Sequence, residues 1–411
     1  MSDRLVMMAG GHASTDQHVR SLIVTERRFD RSLAAAALDE AEDLLVRLGG
    51  AQLYRLDRRD QRQSPRLRRA VGRSLRRAAG PRVLLPPRSA GAPVRDGPYD
   101  LAVAVLYSVW NLPLLEAIPG LRDSGRIVGW FPEVWPPQLD DRLALEPFAI
   151  LDEIFVGEPR SAALLERLLQ RPVHVLPVAT DVEVFSDGGR VLDRIERQRP
   201  IDVCNIGRRD PALHLALAEW SARTDAYYVY DTTSGATVVD PAAHRMALAG
   251  QLRRTRVKIA SHAKHDEPEV TGGVRWLPAR VWDGLASGAV LAGFPPDPDA
   301  QRDLFGREVV HPLPEGDPAA AVATIAELTS GCAAAERRAN VRTAMAGHDW
   351  SHRWVEVFRT CGLRPPPGVL QRAQRLTRQG VAGSARGRAQ VDLRPTGSQD
   401  PPPDPSTAES A

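Results

Sequence analysis

Short apolar segments of strand length alternate with amphipathic segments of helix length along most of this chain. They do so in two series, parted by a polar stretch. A strand, a helix and a second strand in succession make a crossover, and crossovers build parallel sheets. In the first series strands are expected at Ser21–Val24, Ala51–Leu56, Val83–Leu85, Leu101–Leu106, Arg126–Phe131, Ile154–Val156 and Val173–Leu176. Helices are expected at Ser32–Leu48, Leu112–Ile118 and Arg160–Leu169. The first of these repeats Leu38, Ala41, Leu45 and Leu48 at helical spacing, and Gly49-Gly50 stops it. In the second series the strands are Asp202–Ile206, Tyr227–Tyr230, Val257–Ala260 and Ala289–Ala292. Its helices are Pro211–Arg223, His244–Arg253, Ala279–Ser287, Pro318–Leu328 and Ala333–Ala346. The fold class is therefore α/β, with two Rossmann-like domains, each a parallel sheet covered on both faces.

The expected divisions are a flexible N-terminus over 1–20, a first domain over 21–185, a linker over 186–200 and a second domain over 201–345. A chain of 411 residues suits two domains. Segment 364–411 is rich in Pro, Gly, Arg and Ser, with little large apolar content after Leu376, so a disordered tail is expected there.

The net charge of +3 excludes a chain-wide polyanion binder, and no nucleic-acid partner is expected. Lys258 and Lys264 are the only lysines; all other basic side chains apart from histidine are arginine, which fits a GC-rich bacterial coding bias. The three cysteines, Cys204, Cys332 and Cys361, are far apart and lack metal-ligand spacing, which points to a reducing cytoplasm. No signal-peptide pattern opens the sequence, and the most apolar run, Leu101–Ile118, is broken by Asn111 and Pro113. The Arg-rich segment 55–82 reads either as a solvated surface helix or as a peripheral contact with anionic membrane at the inner face.

Open parallel sheets bind ligands beyond the carboxyl ends of their strands, so the strand-to-helix loops are the places to search. No G-x-G-x-x-G, P-loop or G-x-S-x-G pattern occurs in them. Asn205-Ile206-Gly207-Arg208-Arg209-Asp210 leaves a strand and enters a helix. Gly207 would let a ligand approach the backbone, and Arg208 and Arg209 offer forked donors to phosphate; a plain turn with surface arginines is the alternative. Ser261-His262-Ala263-Lys264-His265-Asp266-Glu267-Pro268-Glu269 follows another strand. His262 and Lys264 would face a bound ligand there, the alternatives being a polar surface loop or a metal on His262 and His265. Trp130-Phe131-Pro132-Glu133-Val134-Trp135-Pro136 ends a strand of the first domain. Trp130 and Trp135 would stack on a ligand, and Glu133 would be a base or a ligand contact; otherwise the aromatics are core and Glu133 a rim charge. Segment 277–288 is a helix with Pro278 at its start and Gly288 at its end, placing Arg280, Asp283 and Ser287 opposite Val281 and Leu285. Without further context Arg280 and Asp283 read as an exposed pair.

Arg280-Val281-Trp282-Asp283-Gly284-Leu285-Ala286-Ser287-Gly288-Ala289-Val290-Leu291 resembles an element of group-1-type (family 4-like) GT-B glycosyltransferases. Glu158-Pro159-Arg160-Ser161, then Val175 to Asp181 and Phe185, resembles the element closing that family's first domain. Gly207-Arg208 resembles its diphosphate loop. His348-Asp349-Trp350-Ser351-His352-Arg353 resembles the start of its C-terminal helix, so 346–363 is expected to cross back onto the first domain. The resemblance spans about Leu101 to Leu363 and belongs to a divergent branch, because Arg275 stands where many relatives carry a second Glu. It implies a nucleoside-diphosphate-sugar donor as co-substrate, a glycan, lipid or small-molecule acceptor, and neither cofactor nor metal. Asp283 would then grip ribose. Arg208, Arg209, Lys264 and Arg280 would neutralise the diphosphate, with Gly207 beside it, Trp130 and Trp135 would stack on the acceptor, and Glu133 and His262, the latter facing donor phosphate or sugar, would be the catalytic candidates.

Overall fold

The computed structural model describes residues 19–27, 35–56, 97–139, 145–195, 199–231, 237–331 and 333–391. The expected strand at Val83–Leu85 lies outside these residues. So do the Arg-rich segment beyond Leu56, positions 1–18 and positions 392–411.

Two wholly parallel sheets form. The first contains β1 (Ser21–Thr25), β2 (Gln52–Arg55), β3 (Leu101–Val105), β4 (Ile127–Phe131), β5 (Glu153–Val156) and β6 (His174–Val175), in the order β2-β1-β3-β4-β5-β6. The second contains β7 (Ile201–Asn205), β8 (Tyr228–Tyr230), β9 (Thr255–Ile259), β10 (Val290–Gly293) and β11 (Val310–Pro312), in the order β11-β10-β9-β7-β8. The sequence reading lacks β11, a three-residue edge strand ending in proline. Leu112–Ile118 becomes a 3-10 helix over Val109–Ala117, because Pro113 inside it has no N–H to give.

Helices flank both sheets. On the first lie α1 (Ala35–Gly49) and α2 (Pro159–Leu169), and the short α3 (Val182–Phe185) leads out of that domain. Around the second lie α4 (Pro211–Arg223), α5 (Pro241–Leu252), the short α6 (Pro268–Thr271), α7 (Ala279–Ser287), α8 (Pro298–Phe305), α9 (Pro318–Ser330) and α10 (Ala334–Gly347). Six described helices open on an acid followed by proline, and in all but the short Glu267-Pro268 start the acid is a cap: Glu158-Pro159, Asp210-Pro211, Asp240-Pro241, Asp297-Pro298 and Asp317-Pro318. In each of these five, the acid accepts a hydrogen bond from an amide of the first turn. The proline fixes φ where an N–H is not needed, so the sequence itself marks where these helices begin.

The chain crosses between domains twice, and the two crossings run side by side. Thr180 pairs with Asp349 as an isolated parallel bridge. After it α11 (Trp350–Thr360) lies on the first sheet. Trp350 and Trp354 are fully buried there, each edge-on to Trp130 at 5.9 and 5.6 Å. The disordered tail expected from residue 364 gives way to α12 (Pro367–Val391). Val369, Ala373 and Leu376, four and three residues apart, bury one stripe of it against α1, α10 and α11. Bulk composition hides that stripe. Among the described residues no single helix is long and apolar enough to cross a membrane.

Buried charges hold the crossing. Arg372 of α12 meets Asp181 at 2.5 Å and Asp349 at 2.7 Å. Arg245 of α5 meets both Asp283 oxygens, at 2.9 and 2.7 Å, and Glu40 of α1 at 3.1 Å. Thr180 Oγ1 donates to Asp283 Oδ1 at 2.8 Å, and Trp350 Nε1 donates to Glu40 at 2.9 Å. Glu40 thus joins α1 of the first domain to α5 of the second and to the returning helix α11. Burial pushes its carboxyl above the usual range, against the pull of Arg245. Removing one partner strands the others without water. Arg245→Met should therefore cost about 3–5 kcal/mol in urea unfolding; a loss under about 1 kcal/mol would mean that the cluster carries no such role.

His348 lies just before the returning crossing. Its Nε2 is 3.1 Å from the Leu304 carbonyl, and its Nδ1 faces Trp282 Nε1 at 3.4 Å and Arg353 Nη2 at 3.2 Å. This set suits a neutral ring with the proton on Nε2. Burial, aided by Arg353, lowers its pKa to about 3. The unfolded chain protonates this side chain near 6.5 while the folded one does not, so its contribution is complete above that pH and drains away as pH falls towards 3. In urea midpoints measured from pH 7 to 4, His348→Asn should flatten the acid slope relative to wild type. Parallel curves would contradict the assignment.

Candidate functional site

The carboxyl ends of β7, β8, β9 and β10 converge on one edge of the second domain, beside the loop that follows β4 in the first. After β7, Gly207 takes φ +96°, and no heavy atom lies within 4 Å of where its Cβ would stand. Its N–H donates to Asp231 Oδ2 at 3.1 Å. Asp210 then caps α4 by accepting from the Leu213 amide at 2.7 Å.

The expected phosphate-binding cations gather around this loop, each already holding an acceptor. Arg208 pairs with Asp266 at 2.7 Å and Glu267 at 2.8 Å. Arg209 pairs with Asp231 and lies 5.7 Å from the Tyr230 ring centre. Arg280, part-buried at the start of α7, donates from Nη1 to the Arg208 carbonyl at 3.0 Å. Burial, together with the neighbouring Arg208, pushes its guanidinium down to about 10. It does not pair with Asp283.

Lys264 reaches across to the first domain, its Nζ 2.9 Å from Glu133 Oε1. Two residues expected at the cleft from opposite halves of the chain therefore meet directly. Glu133 also accepts from Trp135 Nε1 at 3.2 Å. Its loop is pinned by Gly157, where a Cβ would lie 2.1 Å from the Pro132 carbonyl oxygen. Lys264 itself has φ +49°, a left-handed turn that directs the chain after β9. A second cross-cleft pair, Arg160 to Asp297 at 3.1 Å, sits on the exposed rim.

Beside Lys264 opens a cavity of about 450 Å³, lined by His262, Lys264, His265, Arg275, Phe294 and Glu315 among others. Burial lowers the pKa of both His262 and His265. The His265 nitrogens are shielded and have no hydrogen-bond partner among the described residues. The two rings stand edge to face at 6.0 Å. Among the described residues, no group of three or more His, Cys, Asp or Glu side chains is arranged to hold a metal. Arg275, at the position of the missing Glu, forms a two-pronged pair with Glu315 at 2.6 and 3.1 Å.

Three expected residues lie elsewhere. Trp130 is fully buried and donates to the Leu176 carbonyl at 3.1 Å, so it belongs to the core between the first sheet and α11 and not to an acceptor surface. A sheet covered on both faces buries both sides of a strand, so alternation gives no sign of which aromatic is free. Trp135 is 1% exposed and packs with the second domain's core, leaving no face for an acceptor. Asp283 is 3% exposed and committed to Arg245 and Thr180, because α7 is buried along nearly its whole length. Its carboxylate serves the crossing, not the cleft. Sequence reasoning missed Arg245 and Asp231. Nothing local marks Arg245; Asp231 had a signal, as an acid immediately after the second strand of the unit.

No protein-family model matches the sequence, and no curated protein matches it. Solved structures do match in shape. HepE of Anabaena, in complex with UDP and glucose, aligns with a TM-score of 0.50 at 9% identity, covering 84% of this chain and 100% of that one. The N-terminal domain of Candida albicans trehalose-6-phosphate phosphatase gives 0.50 at 9% identity, over 84% and 97%. At such identities the likeness is one of fold, and with two parallel Rossmann-like sheets joined by a double crossing, this chain has the GT-B fold.

Proposed function

We propose that the protein is a glycosyltransferase that moves a sugar from a nucleoside-diphosphate sugar to a glycan, lipid or small-molecule acceptor. The observation that carries this reading is the meeting of Lys264 and Glu133 across the cleft, beside the open Gly207 loop and the cavity at the strand ends. The HepE structure that shares the fold holds UDP and glucose, which supports a nucleotide-sugar donor here.

Departure of a diphosphate builds negative charge that fixed cations can stabilise. Arg208, Arg209, Lys264 and Arg280 would supply it without a metal. In the unliganded protein these side chains rest on Asp266, Glu267, Asp231, Glu133 and a backbone carbonyl. The partly solvated pairs of Arg208 and Lys264 are worth about 0–1 kcal/mol, so a diphosphate would exchange with them at little cost. Parting Lys264 from Glu133 opens the cleft and frees both groups at once. Lys264 would turn to phosphate, Glu133 would take the acceptor proton, and His262, neutral near pH 7, would contact the sugar. Closure then excludes water from the donor. Retention of anomeric configuration is the outcome that the family resemblance favours.

A second reading, a sugar-nucleotide-binding protein without transfer, is favoured by Arg275 and its pair with Glu315. Calorimetry against UDP-, GDP-, ADP- and dTDP-sugars, followed by assay of diphosphate release, separates the two. Transfer or slow hydrolysis, unchanged by EDTA, is expected; binding without release would support the second reading. Lys264→Met should weaken donor affinity at least tenfold with little change in Tm, and unchanged affinity would remove Lys264 from the site.

A further inference from the structure

We infer that Asp231 grips the ribose of the nucleotide, the role that the family resemblance gives to Asp283; this rests on the nucleotide-sugar reading. Asp283 has little left to offer a diol. Its Oδ1 accepts from Thr180 Oγ1 at 2.8 Å and Arg245 Nη2 at 2.7 Å, and its Oδ2 accepts from Arg245 Nη1 at 2.9 Å, all out of contact with water. Releasing it means dismantling the crossing between the domains.

Asp231 stands in a different relation to the cleft. It is the first residue after β8, and β8 lies next to β7 in the sheet. In a Rossmann unit the glycine-bearing loop follows the first strand and an acid follows the second. Adjacent strands bring both to one ligand, where the loop meets phosphate and the acid meets ribose hydroxyls. Here the two positions are in contact, because the Gly207 N–H donates to Asp231 Oδ2 at 3.1 Å across a separation of 24 residues. The backbone of Gly207 is open on its outer side. The Asp231 side chain retains 18% exposure against 4% for Asp283.

The acceptor count also fits. An ionised carboxylate has about four lone-pair sites. Gly207 uses one on Oδ2 and Arg209 one on Oδ1, leaving one on each oxygen, the number that a 2′,3′-diol requires. Arg209 and the Arg280-tethered Arg208 flank it, so ribose at Asp231 places a diphosphate beside its cations.

The test is calorimetry of the full chain with UDP, GDP, ADP and CDP, each paired with its 2′-deoxy form. Whichever base binds, the ribose form should bind at least tenfold more tightly than the deoxy form. Asp231→Asn should cut that ratio below threefold. Asp283→Asn should lower Tm and keep the ratio. If Asp231→Asn fails to fold, Asp231→Ser, which still offers the Gly207 amide an acceptor, carries the same comparison. A ratio kept by the Asp231 variant, or near one in wild type, overturns this assignment alone. Failure of all four diphosphates and of dTDP to bind overturns the nucleotide reading, and the assignment with it.

Discussion

The structure depends on two buried arginines at the place where the chain passes twice between its domains. Arg372 holds Asp181 and Asp349, one from each crossing strand, and Arg245 holds Asp283 and Glu40, one from each domain. Taking such charges out of water is costly, and well-packed apolar groups would often be as stable. What the ions add here is direction. A bidentate guanidinium accepts one geometry, whereas an apolar contact tolerates sliding. The relative placement of the two sheets, and hence of Glu133 and Lys264, follows from that geometry. The Phe185 ring, 4.6 Å from the Arg245 guanidinium carbon, closes the cluster from below.

The cleft is built on the opposite principle. Its pairs, Lys264 with Glu133, Arg208 with Asp266 and Glu267, and Arg160 with Asp297, are all partly solvated. Water competes with them, and so would phosphate. The buried crossing and the partly solvated rim contacts thus differ in how readily water can replace them.

Much of this is legible in the sequence where local chemistry speaks. The alternation of strand-length and helix-length segments gives both sheets apart from the edge strand β11, while the acid-proline pairs mark helix starts such as those at Pro241 and Pro298 that the alternation alone does not. The run from Pro177 to Phe185 can be picked out as one element. The structure gives it a cause, since Asp181 caps α3 through the Val184 amide at 3.0 Å and binds Arg372. Tertiary pairs are not legible. Asp283 is conspicuous on its helix, yet its partner lies 38 residues upstream on another helix, and no periodicity reports that. Trp130 is likewise indistinguishable from a cleft aromatic until α11 is seen to cover it. In the tail, a stripe of three apolar residues and one arginine outweighs a disorder-prone composition because partners on α10 and α11 are waiting for it.

Amide hydrogen exchange, with and without a nucleoside-diphosphate sugar, tests the division between a fixed crossing and a working cleft most directly. New protection is expected over residues 206–213 and 262–275, and none over 180–185 or 348–352, which should already exchange slowly. Protection that appears at the crossing while the two cleft segments stay unchanged would contradict that division.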